Sequence, residues 1–284
     1  MDSVEKIKID FVGAGKVVQQ FLEKKNFNID IRIYDQPGKK KLDKLARSIK
    51  IFKTSGRILL LCASTDEESI LKTSHSHARL SIAKENLAIT NDLIQKGIFK
   101  DQIIFVLTNP SEIIAEFIYR KTGNKRVYAL GLNTDQKRYS EIIKQSNFLH
   151  LNSEFYISGN HYDFPYPMFH PPDSTHDEKT TIQLLYLALQ KKIQSEFKGY
   201  RPPIVSGVTA LNDLIQSLAT KRPLYLSGYC DEFGCFTGGR MDFTSLNFTP
   251  LLGNTCYSKK KILSIAKKHC ESYFSATSNQ EHKE

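Results

Sequence analysis

The alternation of short aliphatic runs with amphipathic stretches in the first half of the chain constrains the fold more than any other sequence feature. Runs rich in Ile, Leu and Val lie at residues 7–12, 29–34, 57–62, 102–107 and 127–130. Between them stand amphipathic stretches at 16–25, 39–50, 80–95 and 112–121. Repeated strand and helix units of this kind form a parallel sheet with helices on both faces. We therefore predict an N-terminal doubly wound α/β domain over residues 1–134.

The pattern changes after about residue 136. We predict helices at 138–145, 179–197, 208–221 and 259–274, and extended segments at 149–158, 223–230 and 234–237. The proline-rich stretch 164–172 is predicted to be a turn region. These elements indicate a C-terminal mixed α+β domain over residues 135–275, followed by a disordered tail at 276–284.

Composition limits the class of protein. A hydrophobic content of 40% and an aromatic content of 11% are typical of a folded globular chain. No apolar run approaches the roughly 18 residues of a membrane span, and no signal-type apolar block follows the N-terminus, so we expect a cytoplasmic protein without a membrane partner. Five cysteines without a C-x-x-C pair indicate reduced thiols and no metal site.

The chain is basic, with 40 Lys and Arg against 30 Asp and Glu and a net charge of +10. The basic residues are scattered along predicted helix faces, and no aromatic residues alternate with them as a base-stacking surface requires. The charge therefore favours a solvated surface or small anionic ligands, and a nucleic-acid-associated protein is the least favoured of the functions considered.

A nucleotide signal follows the first predicted strand. Gly13 and Gly15 allow a tight turn and let a pyrophosphate approach the backbone at a helix start, while Asp35 ends the second predicted strand and can bind ribose hydroxyls. This is a Rossmann-type arrangement, although Val18 replaces its third glycine. Asp35 would repel a 2′-phosphate, so NAD is favoured over NADP. A glycine-containing turn without a ligand is the alternative.

Short polar motifs follow several predicted strands, in the order Arg79-Leu80 with Asn86, Asn109-Pro110, Asn133 to Arg138, and Gly159 to Asp163. Together with the glycine turn, this ordered set resembles the lactate/malate dehydrogenase family over residues 7 to about 167. The corresponding family motifs are R-L-x-x-x-x-x-N, N-P, N-L-D-x-x-R and G-x-H-G-D.

The resemblance implies an NAD-dependent 2-hydroxy-acid dehydrogenase acting on a small 2-hydroxy or 2-keto acid. His161 would be the catalytic acid and base, and Asp135 its orienting carboxylate. Arg138 would bind the substrate carboxylate with its planar guanidinium, and Arg79 would polarise the substrate carbonyl. Asn109 would contact the nicotinamide ribose or the substrate oxygen.

Taken singly, these residues also have structural explanations. Asp135 could cap a helix, Arg138 and Arg79 could be solvated helix residues, and His161 could bond to backbone in a turn. The chain also departs from the family at Val18, in the shortened segment 36–56 and in the loop 64–78, where the substrate-selecting residue does not align. A further departure is the Pro202-Pro203 pair. The alternative function is a catalytically degenerate binding module, and homo-oligomerisation is left open.

Overall fold

A computed structural model describes residues 7–23, 29–35, 58–65, 78–99, 101–145, 154–161, 164–170, 178–196 and 204–251, with Ser264, Glu271 and Phe274. The strands in these residues are β1 (Ile7–Val12), β2 (Ile29–Tyr34), β3 (Ile58–Leu61), β4 (Ile103–Val106), β5 (Val127–Ala129), β6 (Glu154–Asn160), β7 (Phe164–His170), β8 (Leu224–Cys230), β9 (Cys235–Asp242) and β10 (Asn247–Pro250). The helices are α1 (Lys16–Glu23), α2 (Ala78–Gln95), α3 (Ser111–Thr122), α4 (Gly131–Gln145), α5 (Glu178–Glu196) and α6 (Ile204–Thr220).

Eight strands form one sheet in the order β10-β9-β8-β5-β4-β3-β1-β2, and β6 and β7 form a separate antiparallel pair. The pairs among β1 to β5 are parallel, whereas β8 is antiparallel to β5 and to β9. The predicted α/β class with a doubly wound parallel sheet is confirmed. Strands from the C-terminal half extend that sheet across β5, and the domain limits at 134 and 275 stay a prediction.

Alternate side chains of the central strands enter two hydrophobic clusters, one on each face of the sheet. Leu60 of β3 packs into the cluster formed with α1 and α6, while Leu59 and Leu61 pack into the cluster formed with α2 and α3. A third cluster joins α4 and α5 around Tyr139 and Leu185. Continuous aliphatic strands are therefore required, since both faces of the sheet are covered.

Two predictions about the second half are wrong. Helix α4 begins at Gly131 and not at residue 138. The sequence did not predict its first two turns because the segment 131–137 has too few apolar residues to show helical periodicity. The stretch predicted as a turn region is strand β7, in which Pro165 pairs with Gly159 and Pro167 with Ile157. Residues two apart in a strand present their backbone nitrogens to the same side, so both prolines can face an unpaired edge.

Several predictions lie outside the described residues. They are the helix at 39–50, most of the helix at 259–274, most of the loop 64–78, the Pro202-Pro203 pair and the tail 276–284. Within the part of the chain that the structure describes, no helix is long and apolar enough to cross a membrane.

Candidate active site

The loops that follow the parallel strands meet at one edge of the sheet. The amide of Gly13 donates to the carbonyl of Tyr34 at 2.7 Å, and the amide of Cys62 donates to Val12 at 2.8 Å. Further along, the amide of Leu130 donates to Val106 at 3.0 Å. These bonds continue the ladder beyond the strand ends, and they bring the predicted site residues to the carboxyl edge where doubly wound folds bind ligands.

The turn between β1 and α1 needs glycine at one position and leaves open space at another. Gly13 has φ +92°, and a Cβ there would lie 2.4 Å from the Cα of Ala63. A Cβ on Gly15 would meet nothing within 4 Å. Val18, which replaces the third glycine of the fingerprint, is fully buried in the cluster of α1 and α6. The backbone at Gly15 is therefore open to an approaching group, and the valine is accommodated by the core.

Asp35 directly follows β2 and lies beside this turn, because Tyr34 is the register partner of Val12 and binds Gly13. Its position is the one expected of the acidic residue in the fingerprint. The structure thus brings Gly13, Gly15 and Asp35 to the same corner of the sheet.

Asn86 of α2 ties two loops of this edge together. Its side chain is fully buried; its Nδ2 donates to the carbonyl of Asn109 at 2.6 Å, and its Oδ1 accepts from the amide of Thr65 at 2.7 Å. The hydroxyl of Thr108 adds a bond to the carbonyl of Ala63 at 2.7 Å. Asn109 is therefore held through its backbone carbonyl, and its side chain is half-buried. Arg79 is the second residue of α2, and its role stays a prediction.

His161 and Asp135 form a direct pair. The imidazole Nδ1 lies 2.5 Å from Oδ2 of Asp135, whose side chain is fully buried. Asp135 is the fifth residue of α4 and not a cap, because the helix begins at Gly131. The ring of His161, which follows β6, bonds to the carboxylate of Asp135. Since Nδ1 donates to Asp135, the neutral imidazole keeps its lone pair on Nε2.

Arg138 lies one helical turn after Asp135 and is also buried, with 6% of its side chain exposed. Its Nη1 lies 3.0 Å from Oδ1 of Asp135, and its Nη2 donates to Oγ of Ser206 at 3.1 Å. The two oxygens of Asp135 thus serve two different partners. Arg138 is not a solvated helix residue, and its guanidinium is held on two sides next to the imidazole pair.

Sequence reasoning missed a third set of contacts, made by a second carboxylate. Oε1 of Glu112 accepts from the amide of His161 at 3.2 Å and from the hydroxyl of Ser227 at 3.0 Å. Gly131 allows this close packing, since a Cβ there would lie 2.7 Å from Cβ of His161 and from Oγ of Ser111. The available signals were an acid two residues after Asn109-Pro110 and a glycine between two leucines.

The environment of His161 favours the charged imidazole. Burial by itself lowers the pKa of His161, but the charge and hydrogen bond of Asp135 and the charge of Glu112 raise it further than burial and Arg138 lower it. The net result is a pKa above the usual value for histidine. The folded protein therefore holds a proton on His161 more strongly than an isolated imidazole would.

The described residues contain no group of three or more side chains suited to hold a metal ion. What they present is a glycine turn with an acidic residue, and a partly exposed histidine in contact with a buried aspartate that also binds a buried arginine. Doubly wound sheets bind their ligands at the edge where these loops lie.

Comparison with solved structures gives the particular fold. Malate dehydrogenase from Archaeoglobus fulgidus in complex with NADH aligns over 94% of this chain and 99% of its own, with a TM-score of 0.65 and 16% identity. L-lactate dehydrogenase from Clostridium thermocellum aligns over 95% and 99%, with a TM-score of 0.69 and 16% identity. A lactate dehydrogenase from a Medee basin deep-sea metagenome aligns over 97% and 100%, with a TM-score of 0.70 and 16% identity.

The chain therefore has the fold of the lactate and malate dehydrogenases over nearly its whole length, as its motifs predict. No protein-family model matches the sequence. No curated protein matches it either.

Proposed function

We propose that this chain is a divergent NAD-dependent 2-hydroxy-acid dehydrogenase of the lactate/malate type. The observation that supports this most strongly is the buried carboxylate of Asp135, which binds both the imidazole of His161 and the guanidinium of Arg138. The three residues come from two motifs to which the resemblance gives site roles, and Asp135 joins the other two. No structural requirement of the fold demands two cationic side chains around one buried carboxylate, since buried ion pairs seldom stabilise a protein more than apolar packing does.

NAD fits the residues at the carboxyl edge. Gly15 leaves open space at the start of α1, which has no acidic residue in its first turn, and a helix start of this kind attracts phosphate. Asp35 would accept hydrogen bonds from the adenosine ribose, and Asn109 would contact the nicotinamide ribose. The bound cofactor would accept or supply the hydride. The Archaeoglobus fulgidus enzyme, which shares this fold, carries NADH.

The protein groups divide the remaining chemistry among themselves. Arg138 would bind the substrate carboxylate with the parallel donors of its guanidinium, oriented by Asp135 and Ser206. Nε2 of His161 would take the hydroxyl proton during oxidation and return it to the carbonyl oxygen during reduction. Asp135 would keep the ring oriented and hold the charge on the imidazolium. Arg79 would polarise the carbonyl at the start of α2.

The substrate would be a small 2-hydroxy or 2-keto acid, as in the proteins that the motifs resemble, and the buried guanidinium of Arg138 suits a carboxylate. The choice among lactate-like and malate-like acids depends on the loop 64–78. We place the activity in the cytosol, in agreement with the composition.

The direct test is a titration of the purified protein with NADH, followed by nicotinamide fluorescence, and then an assay of NADH oxidation with a panel of 2-keto acids. We expect saturable NADH binding and turnover with at least one acid. His161→Asn is the control, and it should bind NADH as the parent does while losing turnover by about 10²- to 10⁴-fold. NADH binding without turnover by the parent on pyruvate, oxaloacetate or branched acids would favour the binding module instead.

A further inference from the structure

Glu112 is a buried acid whose two oxygens both accept hydrogen bonds. It is the second residue of α3 and is 3% exposed. Oε1 accepts from the backbone amide of His161 at 3.2 Å and from Oγ of Ser227 at 3.0 Å. Oε2 accepts from Oγ of Ser111 at 3.0 Å. A carboxylate in the first turn of a helix is also stabilised by the helix dipole.

Among the residues that the structure describes, the charged groups that act on the imidazole lie on two helices. Asp135 and Arg138 face it from α4, and Glu112 faces it from α3. With a neutral imidazole these groups carry one excess negative charge, and with an imidazolium they are balanced. In a partly buried site such a balance matters, because charges there are poorly screened by solvent.

We propose that Glu112 is a positioning residue for His161. Glu112 binds the backbone amide of His161 while Asp135 binds the ring, and Glu112 adds a second negative charge beside the imidazole. The inference rests on the proposed function in one respect, the catalytic role of His161. The contacts between Glu112 and His161 are independent of that function. Two carboxylates on different helices bind the same residue at two points, one at the backbone amide and one at the ring, so both the chain position and the ring of His161 are restrained. A glutamate that served only to fill the core would not need this pairing.

The test is Glu112→Gln in the full chain without ligand. Glutamine keeps the volume and an oxygen that can accept from the His161 amide, but it removes the charge. The His161 imidazole is followed by NMR as pH is varied, and its signal is assigned among the eight histidines by its loss in His161→Asn. We expect the proton dissociation constant of the imidazolium to rise severalfold, which is a lower pKa.

Glu116→Gln is the matched control, because Glu116 is a buried acid of the same helix that pairs with Arg120 and not with His161. It should leave the His161 titration where it is. An unchanged titration in Glu112→Gln, or an equal change in both variants, would overturn the proposal.

Glu112→Asp is a second variant, which keeps the buried charge and tests whether Glu112 positions His161. It also keeps the proposal testable if Glu112→Gln fails to fold. The shorter side chain keeps the charge but draws the carboxylate back from the His161 amide. We expect the raised pKa to persist while the His161 amide exchanges with solvent at least severalfold faster. If exchange is unchanged, Glu112 does not position His161. All these readouts use ligand-free protein, so a failure of NADH to bind or react would count against the proposed function alone.

Discussion

Replacing Asp135 by Asn removes the one group that binds both cationic partners of the site while keeping its shape. Asp135 is fully buried, 2.5 Å from Nδ1 of His161 and 3.0 Å from Nη1 of Arg138. Breaking a buried pair by removing one partner costs about 3–5 kcal/mol. Asparagine can still accept one hydrogen bond, and Glu112 still supplies a charge, so we expect a loss of ~2–3 kcal/mol in the free energy of unfolding.

The loss should depend on pH. The pKa of His161 is raised in the folded protein, so its contribution to stability is fully present below the unfolded value of about 6.5 and is lost as pH rises through the folded pKa. The parent should therefore lose stability over that window as pH rises. In Asp135→Asn the pKa of His161 should be lower, because burial still lowers it while the charge of Asp135 is gone. The loss of stability with rising pH should therefore be smaller than in the parent, or reversed.

Urea unfolding followed by circular dichroism at several pH values between 5 and 9 measures both effects. Asp213→Asn is the control. Asp213 of α6 pairs at 2.7 Å with Lys137, which lies in α4 as Asp135 does, but Asp213 is partly exposed. It should cost less than about 1 kcal/mol at every pH. Equal losses in the two variants, or a pH dependence that Asp135→Asn leaves untouched, would refute the reasoning. In the enzyme assay Asp135→Asn should reduce turnover, but by less than His161→Asn does, because the proton donor is kept while its orientation and charge support are lost.

Arg138→Lys should weaken the binding of oxamate by about 30- to 150-fold, because an ammonium cannot make two parallel bonds to a carboxylate. Calorimetry with NADH present measures this affinity. NADH binding should stay unchanged, and unaltered oxamate binding would show that Arg138 does not contact the substrate. Asp35→Ser should narrow the preference for NADH over NADPH by about tenfold or more in a fluorescence titration, since it removes the charge that repels a 2′-phosphate. Equal or tighter NADPH binding by the parent would contradict this. Gly131→Ala should lower the free energy of unfolding by about 1–3 kcal/mol, because its Cβ would press on His161. A Cβ on Gly15 would meet nothing within 4 Å, so Gly15→Ala should change the free energy of unfolding by less than about 0.5 kcal/mol. It should nevertheless weaken NADH binding, and normal NADH binding by this variant would show that the cofactor does not use the space at Gly15.

The features that depend on local sequence pattern could be predicted before the structure was known. The bounds of β1 and β2 agree with prediction residue for residue, because apolar residues recur at every second position of IKIDFV and IDIRIY. Gly13 and Asp35, which directly follow these strands, mark their ends. The contact of Asp135 with Arg138 follows from a spacing of three residues, which puts both side chains on one face of any helix. The pairing of His161 with Asp135 was available only through the resemblance, since 26 positions separate the two residues.

The tertiary structure decided the remainder of the site. Glu112 meets His161 across 49 positions and Ser227 across 115, and Arg138 meets Ser206 across 68. Contacts this distant leave no periodicity in the chain, because they depend on which loops the sheet order brings to one edge. Strand β7 illustrates the same limit, since its prolines indicate a turn until an unpaired edge is available to accept them. Local sequence thus determined the elements and the reactive residue types, and the sheet order determined which carboxylates surround the histidine.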